Sequence, residues 1–106
     1  MAWIYLFVAG LFEIVWAVAL KYSEGFTRLW PSVIVTVAMA ASILLLSLAL
    51  KDLPLGLAYP IWTGIGAAGT VILGIMLFNE SHDILKILFI LMIIAGIVGL
   101  RLTKSV

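Results

Sequence analysis

Long runs of apolar residues, separated by short polar segments, dominate the chain. Four of these runs, over about residues 2–20, 32–50, 56–78 and 87–103, approach the length that a helix needs to cross a bilayer. They are apolar on all sides and lack the alternating pattern of a membrane β-strand. In lipid, only a helix then satisfies their backbone groups. The sequence therefore predicts an all-α integral membrane protein, with one domain of four transmembrane helices over residues 1–106.

Composition and charge exclude several other classes of protein. The 106 residues are 66% hydrophobic and 10% charged, whereas soluble domains are roughly half apolar and about a quarter charged. A net charge of +1 is too small for a surface that binds nucleic acid. The chain has no cysteine and a single histidine, His82, so we expect no metal site and no cofactor. No nucleophile–base pair can be assembled from the spans, so we do not expect an enzyme.

The first span is predicted to remain in the protein rather than to act as a cleaved signal peptide. A signal peptide has a basic start and an uninterrupted apolar core. Here no Lys or Arg precedes the apolar run, and Glu13 interrupts it.

Positive charges divide evenly between the two sides of the membrane. With four spans, both termini and the middle loop share one side. That side holds Lys51, Arg101 and Lys104, and the other holds Lys21, Arg28 and Lys86. Because the Lys and Arg bias of short loops sets orientation, an even division predicts insertion in both orientations, unless another cue selects one.

Glu13 is the one charged residue inside a span, because the other charged residues lie in loops or at span ends. A carboxylate at this depth is costly and usually marks a path for substrate, ions or protons. The alternative is a protonated glutamate that joins helices. Since loss of water disfavours the charged form, the group could hold a proton at one moment and a cation at another. Without a nucleotide-binding element, this favours a proton-coupled carrier over an ATP-driven pump.

Four short helices enclose little space, so a homodimer would place two Glu13 side chains at one central site. Their titrations would then be coupled. Competition of proton and cation for the same two carboxylates is sufficient for exchange, since binding of one expels the other.

Several residues could line such a site. On the Glu13 face, Gly10 lets another helix approach and Trp16 could wall a cation site. On the third span, Tyr59 and Trp62 can supply hydrogen bonds and cation–π attraction. For all three aromatic residues, the alternative is the aromatic belt at the membrane interface. Ser42 could orient Glu13 through a hydrogen bond, or could bond its own helix backbone.

Glycines in the spans are predicted to serve helix packing or bending. Gly64, Gly66 and Gly69 spell a G-x-G-x-x-G pattern. This pattern binds dinucleotides only between a strand and a helix start, and here it lies within an apolar span. Gly96 and Gly99, next to Ala95, form a stripe of small residues that is typical of an assembly seam.

Taken together, these residues resemble the small multidrug resistance family over nearly the whole chain. The similar stretches are Phe12-Glu13-Ile14-Val15-Trp16-Ala17, Leu20-Lys21-Tyr22-Ser23, Gly25-Phe26-Thr27-Arg28-Leu29 and the ten residues from Ala58 to Ala67. Pro60 departs from the family pattern, which usually has Ala there. We expect Pro60 to be tolerated because it falls in the first turns of the third helix, where N–H groups lack partners.

The resemblance implies an antiparallel, dual-topology homodimer in a bacterial inner membrane, in which Glu13 of both subunits binds proton and cation alternately. Trp16, Ser42 and Trp62 resemble the guanidinium-exporter subtype, in which they help to hold Glu13 and the bound guanidinium. A forked carboxylate–guanidinium pair suits that substrate. The alternatives are a quaternary-ammonium or multidrug exporter of the same family, and a membrane scaffold without transport activity.

Overall fold

The structure, a computed structural model, describes residues 1–80 and 83–102. Within these residues the chain forms four α-helices: α1 (Ala2–Tyr22), α2 (Leu29–Ala49), α3 (Leu55–Phe78) and α4 (Ile84–Leu102). At a rise of about 1.5 Å per residue they are roughly 28 to 36 Å long, which matches a hydrocarbon core of about 30 Å. Each is long and apolar enough to cross a membrane. The predicted all-α architecture with four membrane-spanning helices is confirmed.

Two helices, α2 and α4, begin three residues earlier than the apolar pattern predicted, because Pro31 and Lys86 near their starts also adopt helical geometry. α2 begins at Leu29, since Pro31 lies in its first turn, where a missing N–H leaves no bond unmade. α4 begins at Ile84, where the Asp83 Oδ1 atom accepts a hydrogen bond from the Lys86 N–H at 2.9 Å and caps the helix. Residue 103, the last of the fourth predicted span, and Lys104 beyond it lie outside the described residues.

Pro60 lies deeper in α3 than expected. The helix begins at Leu55, so Pro60 is beyond the first turn, in which N–H groups lack helical partners. The carbonyl of Gly56 therefore lacks its usual helical donor, and the proline ring crowds it.

The helices form a flattened layer in the order α2, α1, α3, α4, with a further small contact between α2 and α3. α1 packs along both α2 and α3, while α4 packs against α3. The described residues extend over 44 × 34 × 17 Å, so the layer is flat, with a thickness half of its width. Such a layer leaves apolar surface on both sides, available to lipid or to another chain.

α1 and α3 approach each other closely because glycines on one helix face isoleucines on the other. A Cβ atom at Gly10 would lie 2.6 Å from Ile65 Cγ2, and one at Gly69 would overlap the Ile14 side chain. Beside this contact lies an apolar core of small and branched residues from α1, α2, α3 and the α2–α3 turn. Its buried members are Ala2, Leu6, Ala9, Leu46, Ala49, Leu53, Leu57, Ala58 and Ile61.

α4 is the most loosely attached of the described helices. Ile90 is its one buried residue. Gly64 lets it approach α3, since a Cβ there would lie 3.0 Å from Ile97 Cδ1. At the other contact, the Arg101 guanidinium lies 4.2 Å from the centroid of the Trp3 ring and so ties the end of α4 to α1. Most of the apolar surface of α4 therefore faces outward.

The turn between α1 and α2 is built around Ser23, which is fully buried. Its Oγ donates to the Leu20 carbonyl at 2.7 Å and accepts from the Phe26 N–H at 3.1 Å. Glu24, Gly25 and Phe26 all have positive φ, a conformation that is costly for two of them. The Ser23 hydroxyl thus helps to hold a turn that the backbone would otherwise resist.

We expect Ser23→Ala to lower the free energy of unfolding by about 1–2 kcal/mol, because it leaves the Phe26 N–H without its partner. The measurement is chemical denaturation in detergent micelles. Ser47→Ala is the matched control, since the exposed Ser47 hydroxyl only bonds the Leu44 carbonyl of its own helix, and we expect a change within about 0.5 kcal/mol. Equal effects of the two changes would contradict this role of Ser23.

Candidate functional site

The side chain of Glu13 lies midway along α1 and faces α3. Its carboxylate rests against the backbone of Gly66, where an added Cβ would lie 2.5 Å from Glu13 Cδ and 2.7 Å from Oε2. Gly66 is buried. Any larger residue there would take the space of the carboxylate, so the helix backbone itself forms one wall of the site.

Two polar atoms on this part of α1 are buried without a partner. Among the described side chains, Glu13 Oε2 and Trp16 Nε1 are the buried atoms that make no hydrogen bond. They lie about one helical turn apart, which places both on one side of α1. An unpaired buried polar group costs roughly 1–3 kcal/mol. This helix therefore presents an unused acceptor and an unused donor on one side, about one turn apart.

A chain of hydrogen bonds joins three helices one turn before Glu13. The Trp62 Nε1–H donates to Ser42 Oγ at 2.9 Å, and the Ser42 hydroxyl donates to the carbonyl of Ala9 at 2.7 Å. In a regular helix that carbonyl also accepts from the N–H of Glu13, four residues later. Ser42 is fully buried, so the bond from α2 to α1 is shielded from competing water.

Ser42 thus acts on α1 differently from both sequence-based hypotheses. It does not bond its own helix, and it contacts the backbone of α1 rather than the carboxylate of Glu13. The acceptor could not be found from residue types, because every backbone carbonyl is a potential acceptor.

The aromatic residues of α3 lie at the end of this hydrogen-bond chain. The rings of Tyr59 and Trp62 are tilted by 52° with centroids 5.5 Å apart. Trp62 is half-buried and joined to Ser42, whereas Tyr59 is exposed on the surface of the layer. The structure therefore connects Trp62 to α1 one turn before Glu13 through Ser42, and places the Tyr59 ring against Trp62.

The predicted packing glycines fall into two groups. Gly64, Gly66 and Gly69 each lie against a side chain of a neighbouring helix. Gly96 and Gly99 have no described atom within 4 Å of the place that a Cβ would take. The stripe on α4 therefore faces away from the layer, while Gly10, predicted to line the site, closes the α1–α3 contact against Ile65.

A layer of apolar helices with a carboxylate and an indole N–H unpaired in its interior defines a small multi-pass membrane protein with an intramembrane polar site. The sequence profile of the family described as Small Multidrug Resistance protein matches residues 1–93. The chain belongs to this family. It is a membrane transport protein, and it spans the inner membrane several times.

Relatives of similar length carry a more specific name. A guanidinium exporter of Yersinia pseudotuberculosis is 60% identical over 104 residues, which cover 98% of this chain and all of the relative. A guanidinium exporter of Proteus vulgaris is 61% identical over the same shares. One of Citrobacter freundii is 53% identical over 103 residues, or 97% of this chain and 98% of the relative.

We expect Gly10→Ala to destabilise the protein by about 1–3 kcal/mol, since the new methyl group would overlap Ile65 and force α1 and α3 apart. The control is Gly56→Ala in α3, where the surroundings are open and a helical alanine is favoured over glycine by about 0.5–1 kcal/mol. Denaturant titration in micelles measures both. If Gly10→Ala is as stable as the wild type, the close approach of the two helices is not required.

Proposed function

We propose that this protein exports guanidinium in exchange for protons, at a site formed by Glu13 of two subunits in an antiparallel homodimer. The observation that carries the proposal is the Glu13 carboxylate, which lies inside the layer against Gly66 with Oε2 unpaired. The full-length relatives named guanidinium exporters support the choice of substrate.

Guanidinium fits the chemistry of this place. It is a planar cation whose N–H groups bind a carboxylate through two parallel hydrogen bonds, and Glu13 has an unused acceptor. The neighbouring indole of Trp16 offers an aromatic face to a flat cation. Its bulk would narrow the site and favour a small substrate over a bulky quaternary ammonium ion. Tyr59 and Trp62 complete the proposed lining, while Gly10 lets α1 and α3 close against each other beside it and Ser42 fixes the helices around it.

Proton coupling follows from the cost of an unpaired charge in the membrane. A carboxylate away from water is unfavourable unless its charge is balanced. Glu13 therefore holds either a proton or the substrate cation, and release of one permits binding of the other. Two such carboxylates at a shared site would titrate as a pair.

A single chain leaves much of its apolar surface uncovered, which supports a dimer. The described residues form one thin layer, so a second layer is needed to enclose a substrate. The outward stripe of Gly96 and Gly99 on α4 offers a surface for close helix packing. The even division of Lys and Arg supports opposite orientations of the two subunits.

We expect Glu13→Gln to abolish guanidinium transport, because the amide keeps the shape of the side chain but cannot exchange a proton. The measurement is guanidinium flux driven by a pH gradient in proteoliposomes, with the wild type and a bulky quaternary ammonium ion in parallel. Loss of flux in the folded variant, with little movement of the bulky ion in the wild type, is the expected result.

Other outcomes of the flux experiment decide between the alternatives. Robust wild-type transport of the bulky ion would favour a multidrug exporter of the same family. Guanidinium transport that persists in Glu13→Gln would refute the role of the carboxylate. A folded wild-type protein that moves neither cation would favour a scaffold.

We expect guanidinium binding to weaken as the pH falls, because proton and cation compete for the same carboxylate. The apparent Kd should rise by up to about tenfold per pH unit for each proton displaced. Titration calorimetry at a series of pH values measures the Kd and, in buffers of different ionisation enthalpy, the protons released. A pH-independent Kd, with no proton release, would contradict competition at one site.

A further inference from the structure

A second carboxylate lies at one end of the layer, in a groove between the ends of α1 and α3. The groove has a volume of about 220 Å³, and its walls include Ala17 and Lys21 of α1, Thr70 and Gly74 of α3, and Glu80. It lies on the same side of the membrane as the α1–α2 turn, because α1 ends and α3 ends there.

The innermost residues of the groove lie one helical turn from the Glu13 site. Ala17 follows Glu13 by one turn of α1, and Thr70 follows Gly66 by one turn of α3. Gly66 contacts the Glu13 carboxylate. One turn advances about 5.4 Å along a helix, so the inner end of the groove is separated from the Glu13 carboxylate by about one helical turn. Thr70 contributes a hydroxyl group to that inner end.

The backbone places Glu80 in the groove. Asn79 ends α3 in the left-handed conformation, with φ 54° and ψ 38°, which reverses the chain. The Glu80 N–H then donates to the Gly74 carbonyl at 3.4 Å. A Cβ at Gly74 would lie 2.5 Å from Glu80 Oε1. The absence of a side chain at Gly74 therefore makes room for this carboxylate against the buried helix backbone.

The positive charges near Glu80 hold it weakly. Lys86 Nζ lies 4.0 Å from Oε1, and the Glu80 side chain is 46% exposed, so this pair contributes little. The other lysine of the groove, Lys21, has its Nζ 5.6 Å from the centroid of the Phe78 ring. A guanidinium ion offers a carboxylate a forked pair of hydrogen bonds that an ammonium group cannot match. The carboxylate can therefore take up a passing guanidinium ion in place of its Lys86 contact.

We propose that Glu80 is a capture site for guanidinium at the mouth of the groove, from which the cation passes along Thr70 to Glu13. This inference rests on the proposed function. In an antiparallel homodimer, one Glu80 lies at each face of the membrane, so one subunit captures the cation and the other serves its release. Capture raises the rate of entry without changing the equilibrium affinity of Glu13.

The test compares Glu80→Gln with Glu24→Gln in proteoliposomes. Glu24 lies in the α1–α2 turn on the same side of the membrane but outside the groove, so the control removes the same charge from the same face. We expect Glu80→Gln to lower kcat/KM for guanidinium about threefold, the effect of one unit charge near the route. The equilibrium Kd of the variant should stay within about twofold of the wild type, and Glu24→Gln should behave as the wild type does.

Salt dependence and a second variant separate capture from a structural role. Wild-type flux at low guanidinium concentration should fall with ionic strength more steeply than that of Glu80→Gln, because salt screens the attraction. Gly74→Ala should lower kcat/KM in the same direction without any change of charge, since the methyl group displaces the carboxylate. Thermal unfolding of each variant checks that the end of α3 is intact.

Each contrary result has a defined meaning. Unchanged kcat/KM in Glu80→Gln, or an equal loss in Glu24→Gln, overturns capture at Glu80 while the transport function stands. A lower kcat with unchanged salt dependence also overturns it and assigns Glu80 to the conformational step. If the folded wild-type protein does not transport guanidinium, the proposed function fails and this inference fails with it.

Discussion

A carboxylate in an apolar helix has no water to solvate it, and the arrangement around Glu13 depends on this constraint. Glu13 does not obtain a hydrogen-bonding partner from the described residues at its Oε2 atom, and its neighbour Trp16 keeps an unpaired N–H. Gly66 leaves room for the Glu13 carboxylate, because a side chain at that position would occupy the same volume. The hydrogen bonds of these two atoms are completed only when a proton, a bound molecule or another chain supplies the partners.

The rigidity of the surroundings comes from other polar groups, which are fully paired. Ser42 receives one hydrogen bond from Trp62 and gives one to Ala9, and so links α3, α2 and α1. Buried networks of this kind are strong because they lie in a medium of low dielectric constant. One set of polar residues thus fixes the helices, while a second set nearby stays unpaired. Because the two sets are separate, the helices around Glu13 are held in place while its Oε2 atom stays available for a hydrogen bond.

The sequence predicted the helices and the place of the intramembrane charge because both depend on composition along the chain. Runs of about twenty apolar residues specify spans whatever their partners, and Glu13 stands out in any reading of its span. The acceptor of Ser42 and the position of Glu80 were not predictable, since both depend on backbone geometry. A carbonyl of Ala9 has no signature in the sequence, and the left-handed Asn79 that turns Glu80 back onto Gly74 reads only as part of a polar loop. The start of α4 was missed because Asp83 caps the helix before its apolar run begins.

The loose attachment of α4 affects which of its residues can change over evolutionary time. This helix contacts α3 and touches α1 through Arg101, but it takes no part in the packing around Glu13. Changes in its outward residues therefore leave the packing around Glu13 within one chain unaltered, and act instead on what can pack against α4 from outside. Related chains can therefore come to differ in what packs against the outer face of α4 while the residues around Glu13 stay the same.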